Sequence, residues 1–281
     1  MGCCSSQTQS TLKPLKNGNL LAAQSMKVTK SGHIINSKPV RKLMLQKEAD
    51  RIARDPTCSP DFLTVFNPPL SVCNKLTKFV YLSGIASLTK ENLEKLGITL
   101  IINATYEWPN IEVEGITCYR VPVDDGENDD ISIYFDEVSD KIEENAQNGN
   151  KTLVHCMAGA SRSTSLVLAY LMKYEKINLK NAFISNAFIS VKKRRETARP
   201  NVGFWEQLIK YEIKIKGQAS IKMLHITVDT VQVTVPDFYE KDYPDLYKRE
   251  IEKQVKDGKD KLNNLKPKSQ KQFNAQTNTY E

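Results

Sequence analysis

Midway along the chain a short apolar run, residues 152–155, passes directly into Cys156-Met157-Ala158-Gly159-Ala160-Ser161-Arg162-Ser163, and an apolar helical pattern then continues to residue 174. A strand that gives way to a helix over so short a loop commits the chain to an α/β layer. The strand belongs in a buried sheet and the helix must pack back onto it. The same connection aims the backbone N–H groups of the loop at one point, with a helix N-terminus behind them. Such a loop can receive an oxyanion. Gly159 lets the backbone come close. Arg162 offers a planar fork that holds two oxygens of one phosphate.

The surrounding segments alternate between the same two kinds. Residues 78–83, 99–105 and 116–123 read as strands. Residues 89–96 read as a helix, with Thr89 as its cap and Gly97 as its stop. Residues 131–145 place Ile131, Tyr134, Phe135, Val138 and Ile142 on one helical face. Two more helices are expected at 179–195 and 204–216. This order predicts an α/β fold with a central, mostly parallel sheet of about five strands flanked by helices. It is assigned to residues 70–217. Residues 1–69 are read as a polar, basic and largely disordered arm, with helical composition over 39–54 and a linker containing Pro56, Pro60, Pro68 and Pro69. Residues 218–281 are read as an extension, with one strand expected at 226–235 and a disordered tail, rich in Lys, Asn and Gln, expected from 252. A small echo, Pro236-Asp237-Phe238-Tyr239 and Pro244-Asp245-Leu246-Tyr247, falls between them.

Composition removes several classes. Hydrophobic residues make up 40% and charged residues 26% of the 281 positions, which is ordinary globular usage. No apolar run reaches the ~18 residues of a membrane-spanning helix, and the N-terminus lacks a secretory apolar stretch. The 6 cysteines show no paired spacing and there are only 3 histidines, so a disulfide framework and a zinc finger both fit poorly. A reducing, cytoplasmic setting is the expectation. The net charge of +7 lies in the first 60 residues, with ten Lys/Arg against three Asp/Glu, and the remainder is balanced. A nucleic-acid-binding body is therefore not expected.

A thiol at the mouth of an anion cradle gains nucleophilic character, because the cradle stabilises thiolate as it would phosphate. Cys156 is thus expected to attack phosphorus and form a phosphocysteine. Ser163 can donate to the sulfur as it leaves, and residues Met157 to Arg162 supply the phosphate-binding backbone. His155 is expected to organise the loop rather than act as a base. The spacing His-Cys-x5-Arg-Ser should arise by chance in roughly one chain in several thousand of this length. The bland alternative is a buried structural cysteine beside a core histidine, but the apolar strand before and the apolar helix after speak against it.

With these residues in place, the chain resembles the cysteine-based dual-specificity protein phosphatases, in particular the small atypical ones without a separate kinase-binding domain. The resemblance runs from about residue 76 to 217. It includes Val80-Tyr81-Leu82-Ser83-Gly84, Gly97-Ile98-Thr99-Leu100-Ile101-Ile102-Asn103, Ala169-Tyr170-Leu171-Met172-Lys173 and Arg199-Pro200-Asn201-Val202-Gly203-Phe204-Trp205. It implies a sheet flanked by helices, no metal or other cofactor, and a shallow cleft that admits phosphoserine and phosphothreonine as well as phosphotyrosine. It also implies an aspartic acid upstream that protonates the leaving oxygen. Asp124, Asp125, Glu127, Asp129 and Asp130 are available. Counting back from Ile131-Ser132-Ile133-Tyr134-Phe135 puts the acid at Asp125, with Asp124 the alternative and Asp130 a cap for the next helix. The uncharged Met157, Ala158, Ala160 and Ser161 favour a phosphoprotein over a phosphoinositide. Ser163-Thr164 after the arginine likewise differs from the RNA-capping pattern. A catalytically weak phosphoprotein scaffold and a lipid or RNA phosphatase of the same superfamily remain the competing readings.

Two departures stand out. Asn181-Ala182-Phe183-Ile184-Ser185 is repeated at once as Asn186-Ala187-Phe188-Ile189-Ser190. Five more helical residues would add ~7.5 Å and rotate the far end by roughly 140°. Glu196 stands where relatives usually carry proline. At the other end, Met1-Gly2-Cys3-Cys4-Ser5-Ser6 fits N-myristoylation at Gly2, with Cys3 and Cys4 open to palmitoylation. Eight basic residues and no acidic one precede Glu48, which suits an anionic membrane surface. Arg41-Lys42-Leu43-Met44-Leu45 resembles a kinase docking strip, although an amphipathic helix explains it as well. Cys58, Cys73 and Cys118 read as small core or linker residues.

Overall fold

Five strands form the main sheet: β1 (Asn74–Lys75), β2 (Val80–Gly84), β3 (Ile98–Asn103), β4 (Thr117–Arg120) and β5 (Lys151–Cys156). Their order is β1-β2-β5-β3-β4, and every neighbouring pair is parallel except β1 with β2. The computed structural model describes residues 72–184 and 190–265, with side chains to residue 260. The expected arm over 1–69, with its helix at 39–54 and the acceptors Gly2, Cys3 and Cys4, lies outside the described residues.

β5 is central because it is apolar on both faces, and Val154 pairs with Leu82 on one side and Ile102 on the other. Its pairing ends at Cys156 opposite Gly84. Helix α1 (Lys90–Leu96) is capped as expected: Thr89 accepts the Asn92 N–H, and Gly97 closes the helix at φ 68°. Helix α2 (Phe135–Gln147) follows a short 3-10 turn (Ser132–Tyr134), and Asp130 accepts the Ser132 N–H at 3.0 Å. Helix α3 (Arg162–Lys173) is buried from Arg162 to Met172, so it forms the middle of the core rather than a surface layer.

The long helix expected over 179–195 is two short ones, α4 (Leu179–Ile184) and α5 (Val191–Arg194). Ser190 is extended and caps α5 by accepting the Lys193 N–H, so the second repeat copy ends in a helix start rather than a helix interior. Helix α6 (Val202–Lys216) then crosses α3 and ends at Gly217.

The extension differs most from expectation. The single strand over 226–235 is an antiparallel hairpin, β6 (Met223–Val228) and β7 (Val231–Pro236). Asp229 and Thr230 both take left-handed φ, at 47° and 70°, as a two-residue hairpin turn requires. After α7 (Tyr239–Asp242), the tail assigned to disorder from 252 continues a 22-residue helix, α8 (Pro244–Leu265), and residues 266–281 lie outside the described residues. Tyr247, Ile251 and Val255 of α8 pack on Val231, Val233 and Val235. Gln254 reaches β7 as well, accepting the Thr234 N–H at 2.8 Å and donating to its carbonyl at 2.9 Å. Nor does residue 217 mark a boundary in packing: Phe238, Tyr239 and Leu246 belong to the same buried cluster as Phe183 and Trp205.

Candidate active site

The loop after β5 is defined by where its carbonyls point. Met157 O accepts the Ile85 N–H at 3.1 Å, and Ala160 O accepts the Arg199 N–H at 2.6 Å. The buried Arg195 guanidinium takes two more, Nη2 to Ala158 O at 2.8 Å and Nε to Gly159 O at 2.6 Å. Ser161 O accepts the Ser165 N–H at 2.9 Å as α3 begins. All five carbonyls thus bind groups outside the loop. In a trans peptide the following N–H points the opposite way, which turns the N–H groups of residues 158–162 toward the loop's interior. The Gly159 N–H shows this directly, lying 3.2 Å from Cys156 Sγ. Gly159 has φ 63°, and a β-carbon there would run into the Ser83 carbonyl, so no other residue fits.

Cys156 is buried at the base of this loop, and its sulfur accepts a second hydrogen bond from Ser163 Oγ at 3.2 Å. Two donors thus converge on the one sulfur. Arg162 is 3% exposed. Its Nη1 and Nη2 each lie 2.8 Å from an oxygen of Glu107, and Nη1 also donates to Val123 O at 3.1 Å. Burial works against the guanidinium charge, but the Glu107 carboxylate outweighs it and the pKa rises. Glu107 itself, also disfavoured by burial, is held below the usual carboxylate range by the Arg162 bonds and charge. Arg162 Nε is buried with no hydrogen-bond partner among the described residues. A buried N–H without an acceptor is costly, and an oxyanion would satisfy it.

His155 is buried, and burial pushes its imidazole down to about 4, with the Cys156 backbone acting in the opposite sense. The ring is neutral at physiological pH, and Nδ1 is buried without a partner among the described residues.

Among the five acids, Asp124 Oδ1 is turned back onto the Asp125 N–H at 2.8 Å, and Asp130 is occupied with Ser132. Asp125 is exposed and bound by Asn201 Nδ2 at 3.0 Å, and its charge is felt by Arg162. The geometry thus brings Cys156, Arg162, Ser163 and the loop together, with Asp125 near enough for its charge to reach Arg162. Gly2, Cys3 and Cys4 lie outside the described residues. Sequence reasoning did not single out Glu107, Arg195 or Asn201. Asn201 falls within the run Arg199–Trp205 that carried the resemblance, but Glu107 has no local signal at all.

Residues 80–214 match the family model described as the dual specificity phosphatase catalytic domain. The chain is 40% identical over 179 residues to dual specificity protein phosphatase 21 of Homo sapiens, covering 63% of this chain and 90% of that one. It is 41% identical over 169 residues to dual specificity protein phosphatase 14 of Homo sapiens, covering 60% and 81% respectively. Dual specificity protein phosphatase 18 of Homo sapiens is 39% identical over 176 residues, 62% of this chain and 89% of its own. The matched span holds both the sulfur-bearing loop and the acidic loop before it, and the chain belongs to the dual-specificity phosphatases, enzymes that hydrolyse phosphomonoesters on protein Tyr and Ser/Thr.

Proposed function

We propose that this phosphatase works through a covalent phosphocysteine at Cys156, with Asp125 as proton donor and acceptor. The observation that carries this reading is the loop itself: five carbonyls held outward, and a buried Arg162 Nε–H without an acceptor among the described residues. A phosphoryl dianion would be received by the inward N–H groups and by Arg162. The Cys156 sulfur forms a bond to phosphorus as the bond to the substrate oxygen breaks, and the Asp125 proton passes to that oxygen. In the second step a water oxygen bonds to phosphorus and gives its proton to Asp125. The sulfur departs toward the Ser163 hydroxyl, which donates to it.

Phosphoproteins suit the loop because Met157, Ala158, Ala160 and Ser161 add no cation that a polyphosphorylated lipid headgroup would need. Kinases are a candidate class among them, through the strip Arg41 to Leu45. The N-terminal arm is read as a peripheral membrane anchor, supported by the acceptor pattern at Gly2, Cys3 and Cys4 and the basic stretch after it. One acyl chain binds only marginally, so the basic stretch or a second chain is needed.

A panel of phosphopeptides, phosphoinositides and RNA 5′-triphosphate tests the reading. Turnover is expected on phosphopeptides, with a phosphoenzyme trapped on rapid quench and none in Cys156→Ser. Turnover confined to the lipid or RNA would overturn it. For the anchor, Gly2→Ala should move the protein from membrane to cytosol, and unchanged partitioning would reject it.

A further inference from the structure

The acid-bearing loop is splinted along the first two turns of α6. Gln207 donates through Nε2 to Asp129 O at 2.8 Å, and its Oε1 accepts the N–H groups of Ile131 at 2.9 Å and Ser132 at 3.0 Å. Gly203 lies so close to the Glu127 carbonyl that a β-carbon would overlap it. Asn201, at the tip of the helix, reaches both loops. Its N–H donates to Ser161 Oγ of the phosphate loop at 3.0 Å. Its Oδ1 caps α6 by accepting the Phe204 N–H at 2.9 Å. Its Nδ2 donates to Asp125 Oδ1 at 3.0 Å and to Gly126 O at 3.3 Å. The cap settles the amide orientation: oxygen must meet the Phe204 N–H, so the NH2 group must face Asp125.

We infer that Asn201 is a positioning residue for the proton transfer: it engages Asp125 Oδ1 and leaves Oδ2 as the oxygen that gives and takes the proton. The inference rests on Asp125 being the acid of the proposed mechanism. A neutral carboxyl carries its proton on one oxygen, and an amide donor on the other decides which. The same residue touches the phosphate loop through Ser161, and the neighbouring Arg199 N–H does so through Ala160 O. The proton donor is therefore set in register with the loop that will hold the phosphorus. Displacing a reacting group by about 1 Å costs on the order of 100-fold in rate, which makes such registration worth keeping.

Serine and aspartate at position 201 both cap helices, so Asn201→Ser and Asn201→Asp should fold. Serine is too short to reach Asp125, and aspartate faces it with a second carboxylate instead of a donor. Two substrates separate positioning from structure. Phenyl phosphate releases a basic phenoxide that needs the proton, whereas p-nitrophenyl phosphate releases one that needs it far less. In both variants kcat/KM should fall ~10-fold or more on phenyl phosphate and under about threefold on p-nitrophenyl phosphate. Inhibition by inorganic phosphate should not change. Asp125→Asn, measured alongside, should show the same discrimination more strongly. If Asp125→Asn treats the two substrates as the parent does, the acid assignment falls and this inference falls with it. If Asp125→Asn discriminates while the Asn201 variants lose both activities equally, or neither, Asn201 only caps the helix and the inference alone is overturned.

Discussion

Glu107 shows what a single side chain can contribute without advertising itself. It sits 55 positions before Arg162, between the exposed Tyr106 and the buried Trp108, and in the sequence looks like any surface acid. Its two oxygens nevertheless fix both terminal nitrogens of the arginine. Glu107→Gln keeps the size and one acceptor but removes the charge and the bidentate geometry. Inorganic phosphate should then inhibit about 10-fold more weakly, because Arg162 is no longer held over the loop. Equal inhibition of parent and variant in a competition assay would show that Arg162 is placed by burial alone. The contrast with Cys156, Gly159, Arg162 and Ser163 is physical. Those four act within one eight-residue turn, so their spacing is their geometry. Contacts such as Glu107 to Arg162 or Asn201 to Asp125 exist only after the sheet has closed, and no local spacing encodes them.

Helix α2 is tied to both α3 and α6 through Asp136. Lys214 Nζ lies 2.7 Å from this carboxylate, Lys173 Nζ 2.9 Å and Tyr211 OH 2.8 Å. The Lys214 bond, then Lys173 and Tyr211, hold its pKa well below the ordinary 3.8 despite partial desolvation. A depressed folded value means that the stabilisation is complete above the unfolded value and is lost as pH falls below it. The carboxylate is 46% exposed, so screening keeps the effect small. Asp136→Asn should lower Tm by about 2–4 °C at pH 7. The gap should close as pH falls below 3.8. A gap that persisted in acid would assign the loss to packing instead.

At this scale, sequence reading succeeds where one signal acts alone. Thr89 and Gly97 bound α1 because a cap and a left-handed stop are local devices. It fails where two signals compete. Apolar residues fall at 224, 226 and 228 and then at 231, 233 and 235, so the alternation slips by one across Asp229-Thr230; with no glycine there, that slip in phase is the local mark of the hairpin turn. In α8 the stripe Tyr247, Ile251 and Val255 recurs every four residues, but it is narrow and the polar composition around it points to disorder. The repeated pentapeptide reads as the interior of one long helix, yet Ser190 at its end is extended and caps a new helix.

For the molecule as a whole, the main consequence is that the phosphatase body and its extension share one core. Phe183 and Trp205 lie 5.0 Å apart edge to face, Phe238 and Tyr239 5.0 Å apart, and Trp205 Nε1 donates to Tyr239 OH at 3.1 Å. Phe238 is 2% exposed. Phe238→Ala should cost about 3–5 kcal/mol in urea unfolding, still in a single transition. A loss below about 1 kcal/mol would make the extension an appendage, since a buried aromatic removed from a shared core cannot be that cheap.

β7 is the last strand on its side of the hairpin, with its outer main-chain groups facing away from β6. Such a rim invites another chain to add itself and continue the ladder. The Gln254 amide, which both accepts from and donates to Thr234, already occupies that rim as a one-residue imitation of the missing strand. The helix that carries it thereby blocks this rim of β7 against edge-to-edge association.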